Sequence, residues 1–442
     1  MKNILVIGAG RSASALIRYL LENSTKENWH VTVGDVSLDL VKQKTANHPN
    51  ARAIVLNITN DSQREEEIKR ADLVISMLPA SMHLSVAKDC VQFKKHLVTA
   101  SYVSKEMAEL DTEAKAAGII LMNEIGLDPG VDHASAMKVI DHIHAQGAEL
   151  ISFKSYCGGL VAPESNDNPW GYKFSWNPRN VVLAGQGTAQ YIENGDYKYI
   201  PYNRLFIQID TVKIDGYGTF DAYANRDSLS YRKLYNIAKI PSMLRGTLRM
   251  PGYCKAWNVF VKLGLTDDTY KIEASDKLTC RQFLESYLPA GKQSAKEKLI
   301  ALMGVEMDKE TLSKIEWLGV FEDRKIKLIN ASPAQILQDL LENKWELKEH
   351  DKDMIVMQHQ FQFRNSKSEI RNIVSSLIVK GEDQIYTAMA KTVGLPLAIT
   401  AKLILQGKIS ARGVVIPTIK EIYEPLLAEL ELFGIKFEET EF

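Results

Sequence analysis

Short apolar runs alternate with helix-spaced apolar positions through the first part of this chain. The runs are NILVIG (3–8), HVTVGD (30–35), ARAIVLN (51–57), ADLVISMLP (71–79), HLVTASY (96–102) and GIILMNE (118–124). Segments of helical period separate them, the first continuing to Leu20. Strands that alternate with helices predict βαβ units and a parallel sheet. This places a first α/β domain at 1–125.

From about residue 149 the apolar runs lengthen: ELISFKSY (149–156), RLFIQIDTVKI (204–214), MIVMQHQFQF (354–363) and EIRNIVSSLIV (369–379). In the third, Gln358, Gln360 and Gln362 alternate with His359, Phe361 and Phe363, the period of a strand wet on one face. These strands predict a second α/β domain with a mixed sheet, formed by 126–232 and 346–394. Between them, 233–345 carries helical period, as in Trp257, Phe260, Val261 and Leu263. It reads as an all-helical insertion. One of its helices has Ser332 to cap it and Pro333 for its first turn. The final segment predicts a helix through AMAKTVGLPLAITAKLIL ended at Gly407, then another through EIYEPLLAELELF, and residues 395–442 are expected to pack back on the first domain. The stretch SYCGGLVAPESNDNPWGYKFSW (155–176) shows neither strand alternation nor helical period. Its aromatic content argues against a disordered linker and for an ordered functional loop.

Composition narrows the function classes. A chain of 442 residues, 45% apolar and 25% charged, is globular and long enough for about three domains. With 54 basic against 55 acidic residues and no dense basic stripe, nothing points to nucleic acid. Cys90, Cys157, Cys254 and Cys280 are widely spaced, with no zinc-ligand pattern, so no metal is expected and reduced, cytoplasmic thiols fit. No membrane-spanning stretch and no signal segment is read from the sequence.

In VIGAGRSASALIRYL (6–20), Gly8, Gly10 and Ala13 form G-x-G-x-x-A after a strand and at the opening of a helix. Gly8 permits the tight turn, Gly10 lets main chain approach a pyrophosphate, and Ala13 allows close helix–strand packing. The helix N-terminus, with Arg11 and Ser12, meets the phosphates. Asp35 ends the second strand, where a carboxylate accepts ribose hydroxyls and repels a 2′-phosphate. Val36 brings no positive charge, so NAD is favoured over NADP, while Arg11 keeps NADP as the alternative. Leu78 and Pro79 leave the fourth strand beside the expected cofactor, and Ser101 with Tyr102 leaves the next one at the same edge. Packing explains Leu78 and Pro79 as readily as cofactor contact, and a hairpin or helix cap explains Ser101 nearly as well as ligand binding.

Six ordered segments, NEIGLDPGVDH (123–133), SYCGGLVAPE (155–164), NPWGYKFSW (168–176), NRDS (225–228), RGTLR (245–249) and AMAKTVGLP (388–396), closely resemble the glutamate-forming saccharopine dehydrogenases through nearly the whole chain. The resemblance implies a Rossmann domain, a substrate-binding α/β domain and a helical insertion. It implies oxidation of the secondary amine of saccharopine with a nicotinamide cofactor, giving L-glutamate and 2-aminoadipate 6-semialdehyde in lysine metabolism. DKDMIVM (351–357), EWLG (316–319) and the Asp35 region look more like the dehydrogenase half of the bifunctional aminoadipic semialdehyde synthase than like the NADP-using reductase branch. The reductase half of that synthase is not present here. The partner implied is saccharopine itself, with a homodimer left open.

Saccharopine carries three carboxylates, which call for cationic partners. Arg226, Arg245 and Arg249, with Lys173, are the candidates; the resemblance favours Arg226 as a substrate contact and puts Gly246 and Thr247 beside the ligand, and Arg249 reads more readily as a structural ion pair. Gly158 would offer main-chain N–H to a carboxylate. Lys173 and Phe174 would close over cofactor and substrate, with Leu127 and Pro129 also at the cofactor. For acid–base work the candidates are Asp128, in the turn LDPG, and Cys157; Asp128 has a helix-cap alternative, Cys157 a packing one, and His133 reads as structure. The rival readings are a related carboxynorspermidine or lysine dehydrogenase, and a non-catalytic NAD-sensing Rossmann protein.

Overall fold

The computed structural model describes all residues from Met1 to Phe442 and divides into two compact units, Met1–Leu150 with Gln362–Phe442, and Ile151–Phe361. Residues 126–150, which the sequence reading joined to the second domain, thus lie in the first unit.

In the first unit, β1 (Lys2–Ile7), β2 (Trp29–Asp35), β3 (Ala51–Val55), β4 (Leu73–Ser76), β5 (His96–Thr99) and β6 (Ile120–Met122) match the six apolar runs. They form a parallel sheet in the order 3-2-1-4-5-6, which the strand Gly413–Val415 extends beside β6. The order reverses between β1 and β4, and in open sheets the crevice at that reversal takes ligands. Helices α1 (Ser14–Ser24), α2 (Leu38–Thr45), α3 (Asp61–Arg70) and α4 (His83–Phe93) connect the strands. Leu5, Ile7, Val74, Leu97 and Leu121 bury one sheet face under Ile68, Val86, Ala87 and Cys90.

The helix Ala388–Leu405 packs on α1 and belongs to this unit. At 18 residues it is long and apolar enough to cross a bilayer, contrary to the sequence reading, but 72% of it is buried inside the protein, as in a core helix. It meets α1 at Gly394, where an added Cβ would lie 2.8 Å from the Leu16 amide nitrogen and 3.2 Å from the Ser12 carbonyl oxygen. The helix Lys420–Glu431 lies against Val131–Ala145, and Tyr423 donates its hydroxyl hydrogen to Asp141 Oδ2 at 2.6 Å.

The second unit is built on β7 (Glu149–Val161), β8 (Thr188–Glu193), β9 (Asp196–Pro201), β10 (Ile209–Ile214), β11 (Gly218–Ala224), β12 (Ser242–Arg249) and β13 (Asp353–Arg364). Its sheet runs β10-β11-β12-β7-β13 and is mixed: β12 pairs parallel with β7, whereas β11 pairs antiparallel with both β10 and β12. RLFIQ forms no strand, because Tyr202–Leu205 is a helical turn. The helical block starts at Tyr253 and not at 233, since Ser242–Arg249 is a strand of the sheet. On β13, Gln358 is buried as well as His359, and donates to the Lys213 carbonyl at 3.2 Å.

The stretch 155–176 is half strand. Ser155–Val161 belongs to β7, an internal strand whose near-continuous burial removes the alternation that would have revealed it. Beyond it, Trp170, Tyr172 and Phe174 enter an aromatic core with Tyr253, Trp257 and Trp345. Lys173, 2% exposed, is drawn inward too, its Nζ lying 2.8 Å from Asp167 Oδ1 and 2.7 Å from Asp351 Oδ2. The side chains of Lys173 and Phe174, expected to close over a cofactor, face inward and tie the loop to its own unit. Apolar area and a twofold carboxylate clamp outweigh exposure here.

Gly394→Ala should lower unfolding stability by about 1–3 kcal/mol, the usual cost of overpacking, as read by thermal or urea unfolding. Lys173→Met should cost about 2–3 kcal/mol, discounted for the partly exposed Asp167. The Lys173 hydrogen bond, foremost, holds the Asp167 carboxyl down at about 2, so its contribution is complete above 3.8 and is lost as pH falls through about 2. Unfolding curves across that range should fall more steeply with acid in the wild type than in Lys173→Met.

Candidate functional site

The glycine turn at the end of β1 is shaped by what lies next to it. Gly8 has φ +100°, and a Cβ there would stand 3.0 Å from the Met77 carbonyl oxygen, so β4 leaves no room for a side chain. Around Gly10 a Cβ would meet nothing within 4 Å, which leaves the main chain open to a phosphate. Arg11 to Ala13 form a single helical turn that runs into α1, with Arg11 exposed, Ser12 half-buried and Ala13 buried. Free N–H groups at such a start suit an anion.

Asp35, expected at a ribose, is held by main-chain groups. Its Oδ2 accepts from the Ala9 N–H at 2.8 Å and its Oδ1 from the Ser37 N–H at 3.0 Å, joining the end of β2 to the glycine turn. Lys44, in the last turn of α2, was not singled out by the sequence. Its Nζ donates to the Gly10 carbonyl at 2.8 Å and to Ser14 Oγ at 2.5 Å. Burial pushes the ammonium down to about 8 against the pull of Asp35. A lysine in a polar helix, thirty-four residues from the glycine it touches, leaves no motif; its only signal was its place after the acidic strand end.

At the carboxyl ends of β4 and β5, Leu78 is half-buried and packs on the sheet core, while Pro79 is exposed. Ser101 does not cap a helix: Ser104 does, accepting from the Met107 N–H at 3.1 Å. Ser101 Oγ instead lies 2.7 Å from His83 Nε2. Tyr102 is exposed, and its hydroxyl donates to Asp128 Oδ1 at 3.5 Å.

The turn carrying Asp128 is pinned by main-chain bonds, Gly126 N–H to the Pro129 carbonyl at 2.9 Å and Asp132 N–H to the Leu127 carbonyl at 3.0 Å. Gly130 precedes the helix Val131–Ala145, and its N–H goes to Asp132 Oδ1 at 2.6 Å. Asp128 is therefore not the cap, and its carboxylate stands half-buried beside Tyr102. Leu127 and Pro129 are buried within the turn. Behind it His133 Nε2 lies 2.9 Å from Glu124 Oε2, and Nδ1 lies 3.6 Å from Asp132 Oδ2, a supporting structure for the turn.

The second unit gathers another group. Thr247 pairs with Cys157 in the β12–β7 register and donates to Asn225 Oδ1 at 2.7 Å. Asn225 begins the NRDS loop, which is held by Asn225 N–H to the Arg245 carbonyl at 2.8 Å and Gln190 N–H to the Arg226 carbonyl at 3.0 Å. The Arg226 guanidinium is exposed and has no ion-pair partner. Arg245 is 3% exposed and stacks 4.4 Å from the Tyr231 ring centroid. Arg249 is not the expected ion pair: no carboxylate reaches it, and it lies among the rings of Tyr172, Tyr223 and Tyr253, where the π-faces substitute for an anion. Gly158 and Gly246 are required by packing, since a Cβ would meet the Leu248 carbonyl oxygen at 2.7 Å in one and the Tyr223 carbonyl oxygen at 2.9 Å in the other. Cys157 is 7% exposed.

Comparison with known proteins places this arrangement. Residues 4–122 match the saccharopine dehydrogenase NADP binding domain and residues 126–435 the saccharopine dehydrogenase C-terminal domain. The chain is 36% identical to the saccharopine dehydrogenase [NADP(+), L-glutamate-forming] of Pyricularia oryzae, over 99% of this chain and 98% of that protein. It is also 36% identical to the mitochondrial alpha-aminoadipic semialdehyde synthase of Mus musculus, but spans 47% of that protein. Identity thus does not separate the two branches, and the fungal name carries NADP(+), which gives no support to the expected preference for NAD. The apo saccharopine dehydrogenase (L-Glu forming) of Saccharomyces cerevisiae superposes over the full length of both chains with a TM-score of 0.90. A homospermidine synthase of Legionella pneumophila, 9% identical with a TM-score of 0.58, shares the fold. The chain belongs to the saccharopine dehydrogenase family.

Proposed function

We propose that this protein transfers a hydride from the carbon beside the secondary amine of saccharopine to a nicotinamide dinucleotide, and that water then hydrolyses the resulting imine to release L-glutamate and 2-aminoadipate 6-semialdehyde. The observation that carries the reading is similarity to an L-glutamate-forming saccharopine dehydrogenase over 99% of this chain and 98% of the relative. The glycine turn fits the dinucleotide, which supplies the hydride acceptor when bound. The residues of the chain then have three tasks. The main chain at Gly10 to Ala13 holds the phosphates, with Arg11 exposed beside it. Arg226, the exposed guanidinium without a protein partner, binds a substrate carboxylate, which a planar fork does well. Asp128 takes the proton from the substrate amine at its carboxylate, with Tyr102 orienting Oδ1; a carboxylate in hydrogen-bond reach of the amine is what general-base removal needs. Cys157, buried beside Thr247, packs the sheet.

On charge alone Asp35 favours NAD, and this remains the finer proposal; the NADP(+) names of the fungal relatives point the other way. Lys44 is the residue that would admit the phosphorylated form, since it puts an ammonium beside the same turn.

Initial rates followed at the reduced-nicotinamide absorbance band should show production from saccharopine, and silence with both cofactors would remove the reading. Arg226→Ala should raise the KM for saccharopine roughly tenfold or more, in keeping with about 1.5–3 kcal/mol for a charged hydrogen bond. Unchanged activity in that variant favours a substrate with fewer carboxylates.

Asp35→Ala should shift the NADP to NAD ratio of kcat/KM toward NADP by about tenfold or more, because a like charge within about 8 Å at an effective dielectric near 20 costs about 2 kcal/mol. If Lys44 binds the 2′-phosphate, wild-type affinity for NADP falls as pH rises through about 8, where the ammonium is lost, and is already low and flat with pH in Lys44→Met. Fluorescence titration of NADPH measures both.

A further inference from the structure

The cluster at the carboxyl ends of β4 and β5 has a direction built into its hydrogen bonds. His83 opens α4 and is 3% exposed. Its Nδ1 lies 2.8 Å from Ser76 Oγ, at the end of β4, and its Nε2 lies 2.7 Å from Ser101 Oγ, two residues beyond β5. Thr99 Oγ1 stands further off, at 3.3 Å from Nε2 and 3.5 Å from Nδ1, and accepts the Ser101 N–H at 3.4 Å. Burial pushes the imidazole down to about 4, so near neutrality it has one N–H and one bare nitrogen.

Two arrangements are possible for such a chain, and the buried Ser76 chooses between them. Ser76 is 1% exposed and its hydroxyl has a single hydrogen-bonding neighbour, His83 Nδ1. If Nδ1 carried the proton, the Ser76 hydroxyl hydrogen would be buried without an acceptor, which is costly. Ser76 therefore donates to a bare Nδ1, and Nε2–H donates to Ser101 Oγ. With its oxygen accepting from His83, the Ser101 hydroxyl must direct its own hydrogen elsewhere.

We propose that His83 is a positioning residue: held between Ser76 and Ser101, it makes the Ser101 hydroxyl a donor, and that donor binds a carboxylate oxygen of the substrate. The inference rests on the reading above that the substrate is an amino acid with several carboxylates. It gives Ser101 a sign, since a hydroxyl whose hydrogen is not spent on His83 has a donor to offer a carboxylate.

The test is a set of steady-state kinetics with saccharopine on His83→Asn, His83→Gln, Ser101→Ala and the double variant His83→Asn with Ser101→Ala. The Gln amide reaches the place of Nε2 and can donate to Ser101; the Asn amide reaches only the place of Nδ1. His83→Asn should raise KM about tenfold with kcat within about twofold, His83→Gln should restore KM to within about threefold, and His83→Asn should have no further effect on KM once Ser101 is Ala. An equal effect of His83→Asn with and without Ser101, or no effect at all, overturns the proposal. A Ser101→Ala variant with unchanged KM shows that Ser101 does not touch the substrate and overturns it as well. Nitrogen-15 shifts of the histidine rings in the wild-type protein decide the hydrogen-bond direction without any substitution: a proton on Nε2 of His83 is expected, and a proton on Nδ1 overturns it. Failure of saccharopine to react at all would instead remove the proposed reaction, with the tautomer still testing the hydrogen-bond geometry.

Discussion

The first unit depends on main chain meeting main chain where no side chain fits. At Gly8 the β1 turn lies against Met77, and at Gly394 a helix from the far end of the sequence lies against α1. Between them they fix the height at which α1 begins above the sheet, and so the level of its free N–H groups. Asp35 adds a polar tie, its two oxygens accepting N–H groups from the glycine turn after β1 and from Ser37 after β2. A phosphate site made of main-chain dipoles has little rotameric freedom and gains its strength from being fixed before the ligand arrives.

The charges near the candidate residues divide by whether they already have a partner. Lys173 is held by two carboxylates, and Arg249 is enclosed by tyrosines. Arg226 has neither, and its loop is held by main-chain bonds, so its position does not depend on its side chain. Unpartnered charge on a firmly held backbone is the kind of feature that marks binding and not stability.

Much of this was legible in the sequence. Five of the six runs of the first sheet are largely buried parallel strands, which read as continuous apolar segments, the edge strand β3 being half-buried, and G-x-G-x-x-A has a geometric reason at each position. The stretch 155–176 misled because an internal strand buried on both faces loses its period, and because aromatic residues in a loop signal burial as readily as ligand contact. Ser242–Arg249 was absorbed into a helical block by its neighbours. Lys44 and His83 were missed for a different reason. Each acts on a residue 18 to 34 positions away, and such a contact leaves no mark on local periodicity. The alternative cap roles of Ser101 and Asp128 could be discarded only when Ser104 was seen to cap the helix after β5 and Gly130 to stand at the cap position before Val131–Ala145.

The helix Ala388–Leu405 meets the start of α1 across more than 370 positions of sequence. During synthesis the six strands of the first sheet leave the ribosome long before the helix that braces them. Until that helix docks, the Leu16 face of α1 is bare apolar surface, and a nascent or cleaved product lacking it would be aggregation-prone. Any ligand that binds only the docked form would favour molecules in which the late helix has found its place.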